Sequence, residues 1–185
     1  MPTWMPRRPT LRSALTLLVT VVVVGIMTTS LRAYAVQAYV VPSPSMTPTL
    51  QVGDRIVVNK LASAVQRGDI IVFRRAPGDH DPQYPVLVKR VIGLPGETIS
   101  QQGSTITIDG VPLAQPWLPH PTGDCALPSK AVATTKIPPG QYYVMGDCRG
   151  DSADSRFWGT VPVGNIIGKV TAVVWRDGHP WLHWF

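Results

Sequence analysis

An uncharged segment near the N-terminus limits the fold of this chain more than any other feature. Residues 13–31 contain no charged side chain, and Arg12 and Arg32 bound them. A helix of about 19 residues can cross a hydrocarbon core of roughly 30 Å. The run is also longer than the roughly 7–15 apolar residues of a secretory signal peptide, and Arg32 interrupts the one small-residue stretch that could be cleaved. The segment therefore predicts a membrane anchor, with a cleaved signal as the alternative.

The charges that flank this segment predict its orientation. Arg7, Arg8 and Arg12 precede it, whereas Arg32 alone follows it. Because cytoplasmic flanks of membrane spans carry an excess of Lys and Arg, the N-terminus should be cytoplasmic and the rest of the chain outside. The predicted organisation is a cytoplasmic N-terminus (1–12), a transmembrane anchor (13–31), a juxtamembrane connector (32–41) and an extracytoplasmic domain (42–185).

The basic character of the chain does not identify a ligand. The net charge is +6 and the pI is about 9.7. The cations are scattered, and no basic run or known nucleic-acid motif is present, so no nucleic-acid partner is expected. Positive charge near an anionic lipid surface stabilises association by roughly 1 kcal/mol per cation. The charge is therefore compatible with a membrane and is not diagnostic of a ligand.

The chain has two cysteines, Cys125 and Cys148. Paired cysteines outside the cytoplasm tend to oxidise, and a disulfide here would close a loop of about 22 residues and add roughly 3 kcal/mol of stability. Their spacing fits no zinc pattern, so we expect no metal and no cofactor. A disulfide and two free thiols both remain open at this stage.

The chain beyond the anchor predicts a mainly β domain. Short apolar, β-branched runs are bounded by Gly, Pro and Asp, which is typical of strands, and Asp109-Gly110 is a hairpin signal. Sixteen of the nineteen prolines lie beyond the anchor and disfavour long helices there. The predicted strands are Arg55–Lys60, Asp69–Arg74, Pro85–Ile92, Thr105–Leu113, Gln141–Met145 and Ile166–Trp175.

Two segments lack a clear strand pattern. Residues 117–136 carry Pro, Gly and Ser with little periodicity and are interpreted as a surface excursion. The C-terminal segment 175–185 is rich in aromatic residues and is too short to span a membrane. It is expected either to contact the membrane interface or to pack against the β domain.

Ser45 and Lys89 are the candidate nucleophile and general base. Ser45 lies in the segment 42–50, Pro-Ser-Pro-Ser-Met-Thr-Pro-Thr-Leu, and Lys89 lies in 88–96, Val-Lys-Arg-Val-Ile-Gly-Leu-Pro-Gly. A serine hydroxyl needs an adjacent base, and none of the four histidines has a setting that marks a triad member. Lysine can act as the base if burial lowers its pKa by about 3 from its reference value.

The strand predicted at 85–92 offers Lys89 an apolar setting. Alternate side chains of a strand share a face, so Leu87 and Val91 should flank Lys89 and Arg90 should point to the opposite face. An isolated lysine in a strand is ordinarily a solvated edge residue. The surrounding motif favours the catalytic interpretation in this case.

Five sequence blocks in order resemble the type I signal peptidases, the membrane-anchored serine–lysine proteases of peptidase family S26. After the N-terminal anchor come 42–50 with Gly53-Asp54, then Arg67-Gly-Asp-Ile-Ile-Val-Phe73, then 88–97, and finally 145–159. The resemblance covers nearly the whole chain. It implies an antiparallel-sheet catalytic domain of the signal peptidase type, preceded by one transmembrane helix.

The resemblance implies a role for each matching residue. Ser45 would attack the scissile carbonyl, with Lys89 as general base, and the backbone N–H of Ser45 and the hydroxyl of Ser43 would form the oxyanion hole. Ser152 would hydrogen-bond and orient Lys89. Asp154 and Arg156 would form a supporting ion pair, for which a weak surface pair is the alternative.

The resemblance also implies shallow apolar pockets that accept small residues, the Ala-X-Ala pattern before the cleavage site. Ordinary core packing is the alternative for each wall residue. Cys148 departs from the family, which often has Asn there, and pairing with Cys125 would hold the excursion beside the Ser152 loop as a structural bond. The implied walls are Tyr39, Val41, Met46, Leu50, Leu87 and Val88.

The implied function is cleavage of signal peptides from secretory preproteins. The enzyme would be a single-pass protein of the cytoplasmic membrane, in contact with lipid and close to the export translocon. One alternative is a dedicated serine–lysine peptidase, such as a conjugative pilin-processing protease. Others are a catalytically inactive homologue, a cytosolic self-cleaving repressor, which would lack an anchor, and a Cys148-based oxidoreductase, which would need a Cys-x-x-Cys motif.

Overall fold

The computed structural model describes residues 11–62, 64–79, 83–118, 122–126 and 130–185. The chain divides into two compact units, Met1–Ala35 and Val36–Phe185. The predicted cytoplasmic N-terminus falls mainly on residues 1–10, which lie outside the described residues. The first unit contains the helix α1, Leu11–Ala35.

Helix α1 has 25 residues and is composed largely of Leu, Val and Thr. Two of its threonine side chains donate to backbone carbonyls of the preceding turn, Thr16 to Arg12 and Thr20 to Thr16, each at 2.9 Å. These bonds let polar side chains sit on an apolar helix without a water partner. Within the described residues, no helix reaches the length and apolar character that crossing a membrane requires. The transmembrane assignment of 13–31 therefore stays a prediction.

The predicted connector 32–41 is not a separate segment. Helix α1 continues to Ala35, and the strand β1, Val36–Val40, begins at the next residue. This strand pairs antiparallel with the strand β2, Arg55–Asn59. The apolar composition of residues 32–41 predicted a linker. Residues 36–40 nevertheless form a strand, because their backbone pairs with β2.

The second unit is built on two antiparallel sheets, in agreement with the predicted mainly β fold. The larger sheet has the order β1-β2-β11-β3-β4-β9-β10, with β12 also paired to β11. Its remaining strands are β3 (Ile70–Arg74), β4 (Val86–Gly93), β9 (Gln141–Met145), β10 (Val161–Pro162), β11 (Ile166–Arg176) and β12 (His179–Trp184).

The smaller sheet has the order β7-β6-β5-β8. Its strands are β5 (Thr98–Gln102), β6 (Thr105–Ile108), β7 (Val111–Pro112) and β8 (Val132–Lys136). The predicted turn at Asp109-Gly110 joins β6 to β7, and both residues have positive φ, 50° and 81°. Asp and Gly tolerate that region better than other residues, which explains the turn.

The hydrophobic core lies on both faces of the large sheet. Ile70 and Val72 pack on one face, while Ile71 and Phe73 pack on the other, and all four are at most 2% exposed. A third cluster joins the end of β4 to the small sheet. Because β3 and β4 are covered on both faces, a polar side chain on either strand is removed from water.

Two segments contain strands that were not predicted from the sequence. The excursion 117–136 ends in strand β8, because its last residues pair with β5 of the small sheet. The aromatic tail forms strand β12 against β11, and the side chains of all six β12 residues are exposed. A short second helix, α2, spans Ser155–Trp158.

Candidate active site

The nucleophile candidate lies on a tight turn at the edge of the core. Pro44–Met46 form a single 3₁₀ turn that begins at a proline, whose restricted φ suits the first helical position. Backbone bonds from Val41 to Asp54 and from Gly53 to Val41, each 2.9 Å, hold the segment before this turn. Ser45 is 8% exposed, so its hydroxyl has only limited access to solvent.

Lys89 and Ser45 are joined directly. The Nζ atom of Lys89 lies 2.5 Å from Oγ of Ser45, although the residues are 44 positions apart. Lys89 is 4% exposed, and burial lowers its pKa from 10.5 to about 8, against an opposing effect of Asp154. A neutral fraction is therefore available near neutral pH, as a general base requires.

The position of Lys89 in the sheet explains its burial. Lys89 lies directly opposite Ile71 of β3, which is fully buried. Leu87 and Val91 pack in the same cluster as Ile71, as expected for alternate residues of one strand. The apolar neighbours withhold water from the amine and disfavour its charged form.

Arg90 points away from Lys89 and enters a buried network behind the nucleophile turn. Its guanidinium makes two bonds to Asp147, of 2.8 and 2.6 Å, and one of 2.7 Å to the carbonyl of Gly68. Thr49 donates to the same carboxylate at 2.5 Å. The network ties β4, β9 and the segment after Ser45 together. No role was predicted for Asp147 or Thr49 from the sequence, although both lie in the motif blocks 145–159 and 42–50.

Gly146 brings the end of β9 against the nucleophile turn. A Cβ atom on Gly146 would overlap the carbonyl oxygen of Ser45 and the side chain of Ser152. The next contact is a backbone bond from Cys148 N–H to the carbonyl of Ser45, at 3.1 Å. Only glycine permits this approach.

Asp154 organises the loop behind Lys89. It forms a buried two-point ion pair with Arg156, whose Nε and Nη atoms lie 2.7 and 2.6 Å from its carboxylate. It also accepts from the backbone N–H of Gly146 at 2.9 Å. Both side chains of the pair are at most 1% exposed, so the pair is not a surface contact.

Ser152 does not orient Lys89 through a hydrogen bond, in contrast to the expected role. Its hydroxyl donates to Asp154 Oδ2 at 2.8 Å, and the described residues contain no bond between Ser152 and Lys89. A carboxylate two residues away is a stronger acceptor than an amine. Ser152 nevertheless lines the same cavity as Lys89.

Ser43 lies beside the nucleophile. Its Oγ is 3.3 Å from Oγ of Ser45, and it precedes the 3₁₀ turn without capping it. The N–H of Ser45 belongs to the first turn of this short helix, where donors lack an intrahelical partner. The two donors expected for an oxyanion hole, the Ser43 hydroxyl and the Ser45 N–H, are therefore both close to the Ser45 hydroxyl.

An apolar cavity of about 150 Å³ opens beside Ser45 and Lys89. Four of the six expected wall residues line it: Tyr39, Val41, Leu87 and Val88. The other two, Met46 and Leu50, are fully buried in the core beneath the turn and do not line it. Further wall residues that were not expected are Ile56, Val72, Tyr84 and Val86.

Cys125 and Cys148 form a disulfide, with a Cα–Cα distance of 4.3 Å. Cys125 lies in a short 3₁₀ turn, Gly123–Ala126, within the excursion. The bond attaches this turn to the residue whose N–H contacts Ser45. In the part of the chain that the structure describes, no three His, Cys, Asp or Glu side chains are grouped as metal ligands.

Comparisons with known proteins agree on one family. The family model described as signal peptidase, peptidase S26, matches residues 13–175. A signal peptidase I of Leptolyngbya laminosa is 38% identical over 156 residues, which cover 81% of this chain and 74% of that protein. Signal peptidase I V of Bacillus subtilis (strain 168) is 38% identical over 145 residues, which cover 72% of this chain and 82% of that protein. A solved signal peptidase I from Enterococcus faecalis V583 is 31% identical, with a TM-score of 0.46, and covers 59% of this chain and 98% of its own.

Proposed function

Because the chain belongs to the signal peptidase family, peptidase S26, and is a serine peptidase that cleaves signal peptides, we propose that Ser45 and Lys89 perform this cleavage through an acyl-enzyme. The observation that carries the proposal is the 2.5 Å contact between Lys89 Nζ and Ser45 Oγ in a buried setting. The substrates are secretory preproteins.

Acylation begins with neutral Lys89. Its Nζ takes the proton of the Ser45 hydroxyl as Oγ bonds to the carbonyl carbon of the last signal-peptide residue. When the tetrahedral intermediate collapses, the carbon–nitrogen bond breaks, and Nζ returns the proton to the departing amino group. The mature protein leaves with a new N-terminus, and the signal peptide remains as an ester on Ser45.

Deacylation repeats these steps with water. Lys89 takes one proton from a water molecule as its oxygen bonds to the ester carbon. The bond to Oγ then breaks, and Nζ returns the proton to Ser45. The signal peptide leaves as a carboxylic acid, and both catalytic groups are restored.

The oxyanion that forms in each step would be held by Ser43 and Ser45. The Ser43 hydroxyl and the Ser45 N–H lie beside the attacking atom and donate to the negative oxygen as charge develops. The Asp154–Arg156 ion pair and Ser152 would fix the position of the loop that lies behind Lys89. Arg90 and Asp147 would hold the nucleophile turn from the other side.

The apolar cavity supports cleavage after an Ala-X-Ala-like site. Its walls combine aliphatic residues such as Val41 and Val88 with Tyr39, and its volume of about 150 Å³ suits small side chains. A charged or large residue would lose its hydration or overlap the walls on entry. Met46 and Leu50 would shape these walls from beneath, since both lie in the core cluster that contains Val41.

The proposal also includes a single membrane span at residues 13–31, with 1–12 in the cytoplasm and 42–185 outside. The uncharged sequence and the exposed apolar side chains of α1 support the span. The exposed aromatic side chains of β12 and the residue after it, Trp181, Trp184 and Phe185, support lipid contact by the second unit. A location near the translocon would supply the substrates. Alkaline extraction of membranes should leave the chain in the pellet, and its release would contradict the span.

A preprotein cleavage assay in detergent tests the catalytic assignment. Ser45→Ala and Lys89→Ala should abolish cleavage, whereas Lys136→Ala, which alters an exposed lysine on β8, should retain it. Full activity in either of the first two variants would overturn the proposal. Several unrelated preproteins should all be cleaved, because cleavage of only one would indicate a dedicated peptidase.

A further inference from the structure

A second cavity lies beside the Ser45–Lys89 pair. It has a volume of about 200 Å³. The residues that it shares with the apolar cavity are Ser43, Ser45, Tyr84, Leu87 and Lys89. Its other walls are markedly more polar, because they include Arg75, Asp79, Asp151 and Ser152. The two cavities therefore meet at the nucleophile and differ in chemical character.

A bound substrate must extend to both sides of Ser45. If the small apolar residues of the signal peptide occupy the apolar cavity, the residues after the scissile bond enter the polar one. We propose that the polar cavity binds the first residues of the mature protein, and that Asp151 makes it favour a cationic over an anionic residue there. This inference rests on the function proposed above.

Among the charged side chains around the polar cavity, Asp151 is the one that would set the preference for a cationic residue. Arg75 and Asp79 form an ion pair of 2.6 Å and largely offset one another. Asp154 and Arg156 form a buried ion pair behind the cavity, and their charges also largely offset one another. Lys89 is neutral when it acts as the base.

Asp151 is exposed, and no ion pair in the described residues involves its carboxylate. Burial lowers the pKa of Lys89, and Asp151 is among the carboxylates that oppose this effect, so it lies within electrostatic reach of Nζ. A substrate cation in the cavity would meet one uncompensated negative charge.

Three peptides that share the same signal region and differ in the first residues of the mature region test this preference. The first two mature positions are Ala-Ala, Lys-Lys or Glu-Glu, and the measured quantity is the Lys-Lys to Glu-Glu ratio of kcat/KM. Using the full chain in detergent, Asp151→Asn should reduce this ratio about threefold, the effect expected of an exposed charge pair. Asp151→Lys should reduce it further. Asp124→Asn, an exposed aspartate outside the cavity, is the matched control and should leave the ratio unchanged.

The outcomes separate this inference from the proposed function. An unchanged ratio in both Asp151 variants, with Ser45-dependent cleavage of the Ala-Ala peptide, would overturn only the inference. Loss of Ala-Ala cleavage in a folded Asp151→Asn would also overturn it, because the residue would then do more than select charge. Cleavage of the Ala-Ala peptide by Ser45→Ala would instead refute the proposed function.

Discussion

Gly146 and Ser45 are in direct backbone contact, since a Cβ atom on Gly146 would overlap the carbonyl oxygen of Ser45. The end of β9 therefore sets the position of the nucleophile turn. The contact joins residues that are far apart in the sequence.

Gly146→Ala should displace the turn and strongly reduce activity. The added methyl group meets rigid backbone as well as Ser152, so we expect a loss of about 1–3 kcal/mol of stability and at least a hundredfold loss in kcat/KM. Gly164→Ala is the matched control, because a Cβ there meets nothing within 4 Å. Equal activity of the two variants would show that the contact does not position Ser45.

Activity should rise with pH through about 8. The neutral form of Lys89 is the proposed base, and burial lowers the pKa of this residue to about 8. Below that value kcat/KM should fall about tenfold per pH unit, and above it the profile should level off. A profile measured from pH 6 to 9 that is flat would exclude Lys89 as the titrating base.

Lys89→Met should inactivate the enzyme and stabilise its fold. Below pH 8 both the folded and the unfolded chain hold the Lys89 proton, so the folded state bears the net cost of burying this charge, which the lowered pKa puts at roughly 3 kcal/mol. Between about 8 and 10.5 only the unfolded state keeps the proton, so stability rises with pH. At pH 7 the variant should gain about 1–3 kcal/mol in denaturant unfolding, whereas Lys136→Met should change stability little. Destabilisation by Lys89→Met would contradict this account.

Ser43→Ala should lower kcat by about 10²–10³ with little change in KM, because the proposed role of the lost hydroxyl is to donate to the oxyanion mainly in the transition state. Ser43→Thr keeps a hydroxyl and should recover part of the activity. Steady-state kinetics on one peptide substrate checks both variants. A change confined to KM would place Ser43 in ground-state binding instead.

The disulfide should stabilise the domain without taking part in catalysis. Replacing both Cys125 and Cys148 with Ser should remove about 3 kcal/mol and lower Tm by about 5–10 °C. Activity at low temperature should persist, because the bond from residue 148 to Ser45 comes from the backbone. Reductant should lower the Tm of the unmodified protein and leave that of the double variant unchanged. Free thiols found by non-reducing mass mapping would contradict the bond.

Local patterns predicted much of the fold. The strands β2, β3, β4, β9 and β11 begin and end within one or two residues of the predicted runs, because β-branched runs between Gly, Pro and Asp are local signals. Strands β1, β5, β8, β10 and β12 were not predicted. Each has a weaker pattern and is stabilised by pairing with another segment, as β8 is by β5.

The prediction of the candidate site also rests on local information. Ser45 and Lys89 were selected by residue type within motif blocks, and the expected flanking of Lys89 by Leu87 and Val91 follows from strand periodicity. The sequence predicted a hydrogen bond between Ser152 and Lys89, whereas the Ser152 hydroxyl donates to Asp154, and this choice of partner depends on the three-dimensional arrangement of the loop.

The sequence alone identified Ser45 and Lys89 as the candidate nucleophile and base, and it determined which segments form most of the large sheet, since residue chemistry and strand propensity are local properties. Only the tertiary structure decided that Met46 and Leu50 lie beneath the apolar cavity, that Cys125 meets Cys148, and how deeply Lys89 is buried. These outcomes depend on packing between segments distant in the chain, and solvent exclusion by that packing is what lowers the pKa of Lys89.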